Sequence, residues 1–264
     1  MQGFCPLASG SKGNSIYLET EKTKILIDAG LSFKELKRRL SEISIDISQI
    51  DAVLITHEHM DHIEALKGIN EHTNIPVFCN SETAKGIYQN LRFLPKCKIF
   101  SSDESFAFQD LIIQPFSIQH DTLDPVGFLI YYKSLELGKS FKLGFCTDLG
   151  IATTSVKKHL EGCNYLYLEA NHELNMLMAS NRPEMLKRRI SSRQGHLSNE
   201  ETFNLLASLL HSDLKHIFLA HLSADCNSHE LLTDRMGAFL EKHKSSAGFG
   251  LAWQKKVSEF IKFS

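Results

Sequence analysis

Apolar positions along the chain follow two patterns that alternate from end to end. Continuous apolar runs, typical of strands buried on both faces, occur at residues 52–56, 165–169 and 216–220. Further strand-like segments lie at residues 14–19, 24–28, 76–79, 98–100, 105–108, 111–117, 126–132 and 141–146. Helical spacing occurs at residues 33–43, 82–91 and 199–210. The alternation predicts an α/β protein in which two sheets pack face to face with helices outside.

Two local signals refine this picture. Ser198, followed by Glu201 three positions later, forms a capping-box pattern and predicts the start of a helix at Asn199. The closing segments, 249–253 and 257–263, predict one last strand or helix. No repeat, low-complexity tract or linker rich in Pro, Gly and Ser divides the chain, so we expect a single domain over residues 1–264.

Composition narrows the class of protein. The chain has 264 residues, 42% of them hydrophobic, which excludes disordered and fibrous classes. Its apolar runs are too short to cross a bilayer, and its first residues do not resemble a secretory signal, so we expect a cytoplasmic protein with no membrane partner. Six scattered cysteines without a CxxC pair indicate reduced thiols. The net charge of −2 limits nucleic-acid binding to a local, salt-sensitive patch.

Thirteen histidines are the feature of the composition that needs an explanation. Three of them fall in the run His57-Glu58-His59-Met60-Asp61-His62, directly after a buried strand. Four potential ligands within six positions allow a tight loop to turn two imidazoles toward one ion, and the Asp and third His toward another. We therefore predict a metal site here rather than a solvated polar loop.

The HxHxDH spacing is the signature of the metallo-β-lactamase superfamily, which the rest of the chain resembles in order. Asp28 in Leu26-Ile27-Asp28-Ala29-Gly30 resembles its first motif, and His120, Asp148 and His221 resemble the ligands of its later motifs. The resemblance implies the α/β metallo-β-lactamase fold, an αββα four-layer sandwich of two mixed sheets with outer helices. It also implies that Asp28 supports the metal loop from behind.

The resemblance further implies a pair of divalent metal ions. One ion would be held by His57, His59 and His120, and the other by Asp61, His62 and His221, with Asp148 spanning both. Such a pair lowers the pKa of a bridging water, so that a bridging hydroxide can act as nucleophile. The ligand set suits Zn²⁺ best, although Mn²⁺ and Fe²⁺ occupy similar sites.

Three features bear on the branch of the superfamily. The bridging position is Asp148, where secreted zinc β-lactamases carry Cys, and residues 149–220 leave no room for the inserted domain of the β-CASP nucleases. The segments around Glu169 and His196 resemble paired motifs of the transfer-RNA 3′ processing nucleases. Overall the chain is most similar to the WalJ branch, also called YycJ or VicX, whose members are described as metal-dependent phosphodiesterases or DNA exonucleases.

The sequence departs from that branch at three positions near the ligands. Gln119 and Thr122 flank the His-Asp pair, where Ser and Ala are usual, and Cys226 replaces the first of two Asn. These positions lie around the ligands or face the substrate, so the resemblance does not fix substrate detail.

The catalytic set that we predict is Asp61, His196 and Glu169. His196 would protonate the leaving group and Glu169 would orient it, as the resemblance implies; a helix-packing histidine and a surface carboxylate are the alternatives. Candidate substrate-binding residues are Ser11, Asn14, His172 and Arg193. A plain turn explains Ser11 and Asn14 nearly as well, His172 fits an ordinary loop residue, and Arg193 fits a solvated basic run.

Three functions therefore stay open. The leading one is a two-metal phosphodiesterase with a nucleic-acid substrate, in particular a DNA exonuclease. The second is a small-molecule hydrolase of the same fold that cleaves a thioester, lactone or cyclic phosphodiester. The third is a non-catalytic accessory protein, which the complete ligand set disfavours.

Overall fold

Residues 2–264 are described by a computed structural model. The strands are β1 (Gly3–Ala8), β2 (Ser15–Glu19), β3 (Lys24–Ile27), β4 (Ala52–Leu54), β5 (Val77–Cys79), β6 (Cys97–Ile99), β7 (Phe106–Phe108), β8 (Leu111–Ser117), β9 (Val126–Ser134), β10 (Lys139–Cys146), β11 (Tyr165–Glu169), β12 (His216–Ala220), β13 (Gly248–Leu251) and β14 (Ile261–Lys262). The helices are α1 (Phe33–Glu42), α2 (Met60–Ile63), α3 (Leu66–His72), α4 (Ser81–Leu91), α5 (Thr154–Leu160), α6 (Leu174–Ala179), α7 (Glu184–Ile190), α8 (Asn199–Leu209) and α9 (His229–Lys242). A short 3₁₀ turn, Ile47–Gln49, precedes β4.

The strands form two mixed sheets of seven. The first has the order β14-β1-β2-β3-β4-β5-β6, with antiparallel pairing up to β3 and parallel pairing beyond it. The second has the order β13-β12-β11-β10-β9-β8-β7, parallel from β13 to β10 and antiparallel from there to β7. The closing segment therefore supplies two strands, β13 and β14, one to each sheet.

Alternate side chains of the strands are buried in different layers. In β3, Ile25 and Ile27 belong to the core between the sheets, whereas Leu26 packs under the helices of the first sheet. In β12, Phe218 lies between the sheets, whereas Ile217 packs under the helices of the second. Because successive side chains of a strand point to opposite faces, this pattern requires helices on both outer surfaces. The predicted four-layer αββα sandwich is confirmed.

Parallel pairing also places the site. Strands β10, β11 and β12 run in the same direction, so their carboxyl ends meet at one edge of the second sheet.

The predicted capping box is present, since Ser198 N donates to Glu201 Oε2 at 2.9 Å and Ser198 Oγ accepts from Glu201 N at 3.3 Å. Within residues 2–264, every helix is too short or too polar to span a membrane.

Candidate metal centre

The HxHxDH segment turns sharply where β4 ends and α2 begins, with His59 as the N-cap residue of α2. Two sets of potential ligand atoms meet at this turn. Within each set, all the atoms lie within 4.8 Å of one another. The first group consists of His57, His59 and His120. The second group consists of Asp61, His62 and His221. These sets are the two that the family resemblance implies.

Asp148 lies between the two groups. Its Oδ2 is 3.3 Å from His62 Nε2, and its Oδ1 is 3.6 Å from His120 Nε2. The carboxylate therefore borders one histidine of each group, as expected of a ligand shared by two ions.

Four buried polar atoms at this point have no hydrogen-bond partner. They are Nε2 of His57, His120 and His221, and Oδ2 of Asp148, which is close to His62 but not in hydrogen-bonding geometry. Buried polar groups in folded proteins almost always have partners, so this clustering requires an explanation. Imidazole nitrogens with carboxylate oxygens are a donor set for divalent transition metals. The residues present therefore fit a pair of divalent ions.

The protonation of the first group agrees with this fit. Burial lowers the pKa of His57 well below its usual value, and burial also lowers the pKa of His120 despite the attraction of Asp148. A metal binds the neutral form of imidazole. Both rings are thus held in the form that can coordinate an ion at neutral pH.

Asp28 supports the second group from behind, as the resemblance implied. Its Oδ2 lies 2.8 Å from His62 Nδ1, and its Oδ1 accepts the backbone N–H of Thr56 at 2.9 Å. The Thr56 hydroxyl also donates to Asp28, at 2.9 Å from Oδ2. These contacts fix the orientation of the His62 ring, and they leave its Nε2 on the side of the ligand cluster.

Glu169, at the end of β11, is fully buried and holds two histidines at once. Its Oε1 lies 2.8 Å from His221 Nδ1 and 2.9 Å from His196 Nδ1. Its Oε2 accepts the backbone N–H groups of Leu149 and Leu197, both at 3.0 Å. Burial opposes ionisation, but the histidines outweigh it and lower the pKa of Glu169 to about 2. The structure thus brings together the predicted pair, Glu169 and His196, beside the ligand cluster.

Three site residues adopt the left-handed backbone conformation that non-glycine residues rarely use. The φ angles are 61° at Asp28, 55° at Asp148 and 54° at His221. Such conformations persist where the surrounding structure enforces them, and they cluster at functional sites. Here they turn each side chain back toward the ligand cluster directly after a strand.

The loop between β1 and β2, residues 9–14, contains two predicted substrate-binding residues that differ in exposure. Ser11 is exposed, and none of the hydrogen bonds within residues 2–264 involves its side chain. Asn14 is buried, and its Oδ1 accepts Gly10 N at 2.8 Å while its Nδ2 lies 3.2 Å from Asp61 Oδ2. Asn14 therefore pins the loop against the second group, and a substrate contact by either residue stays a prediction.

The other two predicted substrate-binding residues also differ in exposure. His172 is only 1% exposed, and its Nδ1 has no hydrogen-bond partner. Arg193 is exposed, and its backbone carbonyl packs against Gly150, beside Asp148. Direct contact with a large substrate is thus open to Arg193 but not to the buried His172 in this conformation.

Two arrangements near the site escaped sequence reasoning. Ser9 Oγ accepts the backbone N–H of His221 and the hydroxyl of Tyr167, both at 2.8 Å. Asp121 Oδ1 lies 3.6 Å from His59 Nε2, and its Oδ2 accepts from Arg189 at 2.5 Å. Both partnerships join distant segments, and only the position of Asp121 next to His120 gave any signal in the sequence.

The three residues that differ from the WalJ pattern lie in different surroundings. The carbonyl of Gln119 accepts Gly150 N at 2.8 Å, and Thr122 Oγ1 is buried without a partner. Cys226 is fully buried in a small apolar cluster with Leu177 and Ile190. It therefore packs beneath α6 and α7. Of the two expected places, around the ligands or facing the substrate, its burial excludes the second.

Comparison with known proteins agrees with this geometry. A family model for the beta-lactamase superfamily domain matches residues 23–221. The chain belongs to the beta-lactamase superfamily. Within it, the chain is 33% identical to the exodeoxyribonuclease YycJ of Bacillus anthracis, over 94% of this chain and 91% of that protein. It is 36% identical to the exodeoxyribonuclease WalJ of Streptococcus pneumoniae serotype 2, over 85% and 83%. The resemblance to the WalJ branch is confirmed.

Solved structures of other proteins share the fold. A diphosphatase of the PhnP family has a TM-score of 0.68 at 17% identity, covering 99% of this chain and 97% of that one. Human tRNase Z, short form, has a TM-score of 0.63 at 14% identity, covering 98% and 100%. At these identities the likeness concerns the fold alone.

Proposed function

We propose that this beta-lactamase superfamily protein is a dinuclear metal-dependent phosphodiesterase that degrades DNA as an exonuclease. The observation that carries the proposal is the convergence of unpartnered, buried ligand atoms on both sides of Asp148, next to a histidine held by Glu169. The names of the YycJ and WalJ relatives support DNA as the substrate.

We propose Zn²⁺ as the metal, because five of the seven ligands are histidines and imidazole suits Zn²⁺ among the available divalent ions. When bound, such a pair supplies Lewis acidity toward phosphate oxygens and a nucleophilic water at neutral pH. Metal analysis of the purified protein distinguishes Zn²⁺ from Mn²⁺ and Fe²⁺.

His196 is the proposed general acid. Its Nδ1 is fixed on Glu169 at 2.9 Å, and its side chain is 21% exposed, so Nε2 is the nitrogen left for substrate. In the imidazolium form, Nε2–H protonates the departing alkoxide while Nδ1–H stays on the carboxylate. The contact with the Glu169 carboxylate keeps the ring in one orientation.

Substrate would enter past exposed basic residues of the 187–193 region. Arg193 is exposed, and no ion pair within residues 2–264 involves it, so its guanidinium can meet a phosphate. With a net charge of −2, binding would rest on few such contacts and weaken steeply with salt. We also propose a cytoplasmic location, which is consistent with six cysteines that are all unpaired.

A substrate panel tests the proposal against a small-molecule hydrolase. The metal-loaded protein is incubated with end-labelled single- and double-stranded DNA and RNA, and with lactone and thioester substrates. We expect stepwise shortening of DNA from one end. Turnover of a lactone or thioester without any nucleic-acid cleavage would contradict the proposal.

A matched variant pair ties any cleavage to this site. Asp148→Ala removes the carboxylate shared by both groups and is expected to reduce DNA cleavage to background. Asp234→Asn changes an exposed carboxylate on α9 and is expected to leave cleavage unchanged. Equal cleavage by Asp148→Ala and the unaltered chain would point to a contaminating nuclease or a different site.

A further inference from the structure

A cavity of about 510 Å³ opens beside the metal centre and has no role in the chemistry described above. Its walls come from the loop after β12, the start of α9 and the segment after β13, together with Ser9. Pockets of this volume are typical of small-molecule and cofactor sites.

The cavity wall is continuous with a predicted metal ligand. Leu222, which lines the cavity, directly follows His221, and Ser9, which also lines it, accepts the backbone N–H of His221 at 2.8 Å. The cavity therefore adjoins the metal centre through the backbone of residues 221–222 and through Ser9.

An aromatic platform forms one side of the cavity. The indole of Trp253 is 37% exposed and is stacked on the His229 imidazole, with ring centroids 3.6 Å apart and planes 11° from parallel. His229 Nε2 is held by the Ala252 carbonyl at 3.2 Å, and burial lowers the pKa of His229, so its ring is neutral. The backbone of Trp253 is anchored as well, since its N–H donates to Ser258 Oγ at 3.0 Å and its carbonyl accepts Ser9 N at 3.1 Å. The platform is thus rigid before any ligand binds.

Two lysines beside the platform supply positive charge. Lys256 Nζ lies 3.9 Å from the centre of the Trp253 ring, and Lys255 lines the same cavity. Because His229 covers one face of the indole, the ammonium of Lys256 must lie over the other face. Both lysines are exposed, and none of the ion pairs within residues 2–264 includes them. Each can therefore move to a phosphate.

We propose that this cavity binds a base of a single-stranded DNA substrate, next to the phosphodiester at the metal centre. The base takes the place of the Lys256 ammonium over the Trp253 indole, and Lys255 and Lys256 then contact the adjacent phosphates. Exposed aromatic rings flanked by cations are the means by which proteins hold single strands without sequence preference. This inference rests on the proposed phosphodiesterase function.

Binding is measured first, in the His196→Ala background so that cleavage is slow. Trp253 is the only tryptophan of the chain, so its fluorescence reports on this cavity alone. We expect the octamer dT₈ to quench that fluorescence. With end-labelled dT₈ followed by anisotropy, Trp253→Ala is expected to bind about 5- to 150-fold more weakly, which corresponds to ~1–3 kcal/mol of stacking. Trp253→Phe keeps a ring and should restore most of the affinity.

Two controls separate stacking from charge. Tyr88→Ala removes an exposed aromatic ring on α4 and should leave the affinity unchanged. An octamer of abasic sites keeps the phosphates but offers nothing to stack, so Trp253→Ala should bind it as the unaltered chain does. If Trp253→Ala weakens both octamers equally, or neither, the stacking proposal is wrong.

The lysines are tested as a pair. Lys255→Ala with Lys256→Ala should lower the affinity for dT₈ and reduce the slope of its logarithm against the logarithm of salt concentration by about 1.4. The matched pair Lys157→Ala and Lys158→Ala, exposed on α5, should leave that slope unchanged. An unchanged slope for the first pair would contradict the phosphate contacts.

Activity then distinguishes failure of this inference from failure of the proposed function. With His196 intact, Trp253→Ala should show a raised KM for dT₈ but the same KM as the unaltered chain for the abasic octamer, which has no base to stack. Loss of cleavage of both octamers would make the residue structural and overturn the inference. If the unaltered chain cleaves no DNA, the proposed function fails, and the binding measurements still decide whether the cavity takes a base.

Discussion

The two ligand groups of the metal centre are held in place by different means. In the second group, His62 and His221 each have a buried carboxylate on the ring nitrogen that faces away from the cluster, Asp28 at 2.8 Å and Glu169 at 2.8 Å. In the first group, the corresponding nitrogen of His120, Nδ1, has only the backbone carbonyl of Gly195 as its hydrogen-bond partner among the described residues, at 3.0 Å. His59 has a side chain that is 31% exposed and faces Asp121 at 3.6 Å.

This difference indicates that the two groups hold their ions with different strength. A carboxylate on the far nitrogen raises the basicity of a histidine ligand and fixes its ring, so the second group should hold its ion more tightly. Within residues 2–264, His59 and His120 in the first group have no such carboxylate at hydrogen-bond distance, so this group is more able to adjust when substrate arrives. Glu169 belongs to the second group's support and also holds His196, so the tighter ion and the proposed acid share one anchor.

The largest effect in this comparison is expected at His196, the proposed acid that Glu169 holds. His196→Ala should lower kcat about 10²- to 10⁴-fold on a natural phosphodiester, because the alkoxide then leaves without a positioned proton. Steady-state kinetics should show a much smaller loss on bis-p-nitrophenyl phosphate, whose leaving group needs little protonation. Equal losses on both substrates would exclude the general-acid role.

An intermediate effect tests the second group. Asp28→Asn removes the charge behind His62 but keeps a side chain that tolerates the left-handed backbone at this position. We expect the affinity for one of the two ions to fall about 10- to 100-fold while the other is unchanged. Competition with a chelator measures both affinities, and Asp234→Asn is the control. An equal loss of both ions would mean that the groups are not separable.

The smallest effect is expected at the first group. Asp121→Asn removes a partly exposed carboxylate whose distances to His59 and His120, 3.6 and 3.4 Å, are long for hydrogen bonds. Exposed charge pairs contribute little, so we expect no more than about a fivefold loss of metal affinity in the same competition assay. A loss as large as that of Asp28→Asn would contradict the proposed difference in ion affinity between the two groups.

The sequence pattern was most informative where chemistry is local. The six-residue HxHxDH run predicted a metal site, and the family resemblance that it carries implied the two ligand groups. Parallel strands bring their carboxyl ends together, which is why residues at several strand ends lie close to that run. Helix α9 was missed although Leu232, Met236 and Leu240 are buried at four-residue spacing, since polar residues and Gly237 interrupt the apolar pattern.

Contacts that depend on tertiary structure could not be predicted in this way. Ser9 meets Tyr167 only because the two sheets pack face to face. His229 stacks on Trp253 only because β13 pairs with β12, which brings the segment after β13 back over the start of α9. No periodicity or motif in the sequence predicts these contacts. They nevertheless shape the cavity beside the metal centre.

The left-handed residues of the site have a consequence for the protein in the cell. Asp28, Asp148 and His221 each hold a backbone conformation that costs of the order of 1–3 kcal/mol. Ions that bind only the folded chain stabilise it in proportion to their concentration relative to Kd. We therefore expect metal supply to govern the lifetime of the protein as well as its chemistry, because chains starved of metal would open more often and be degraded sooner.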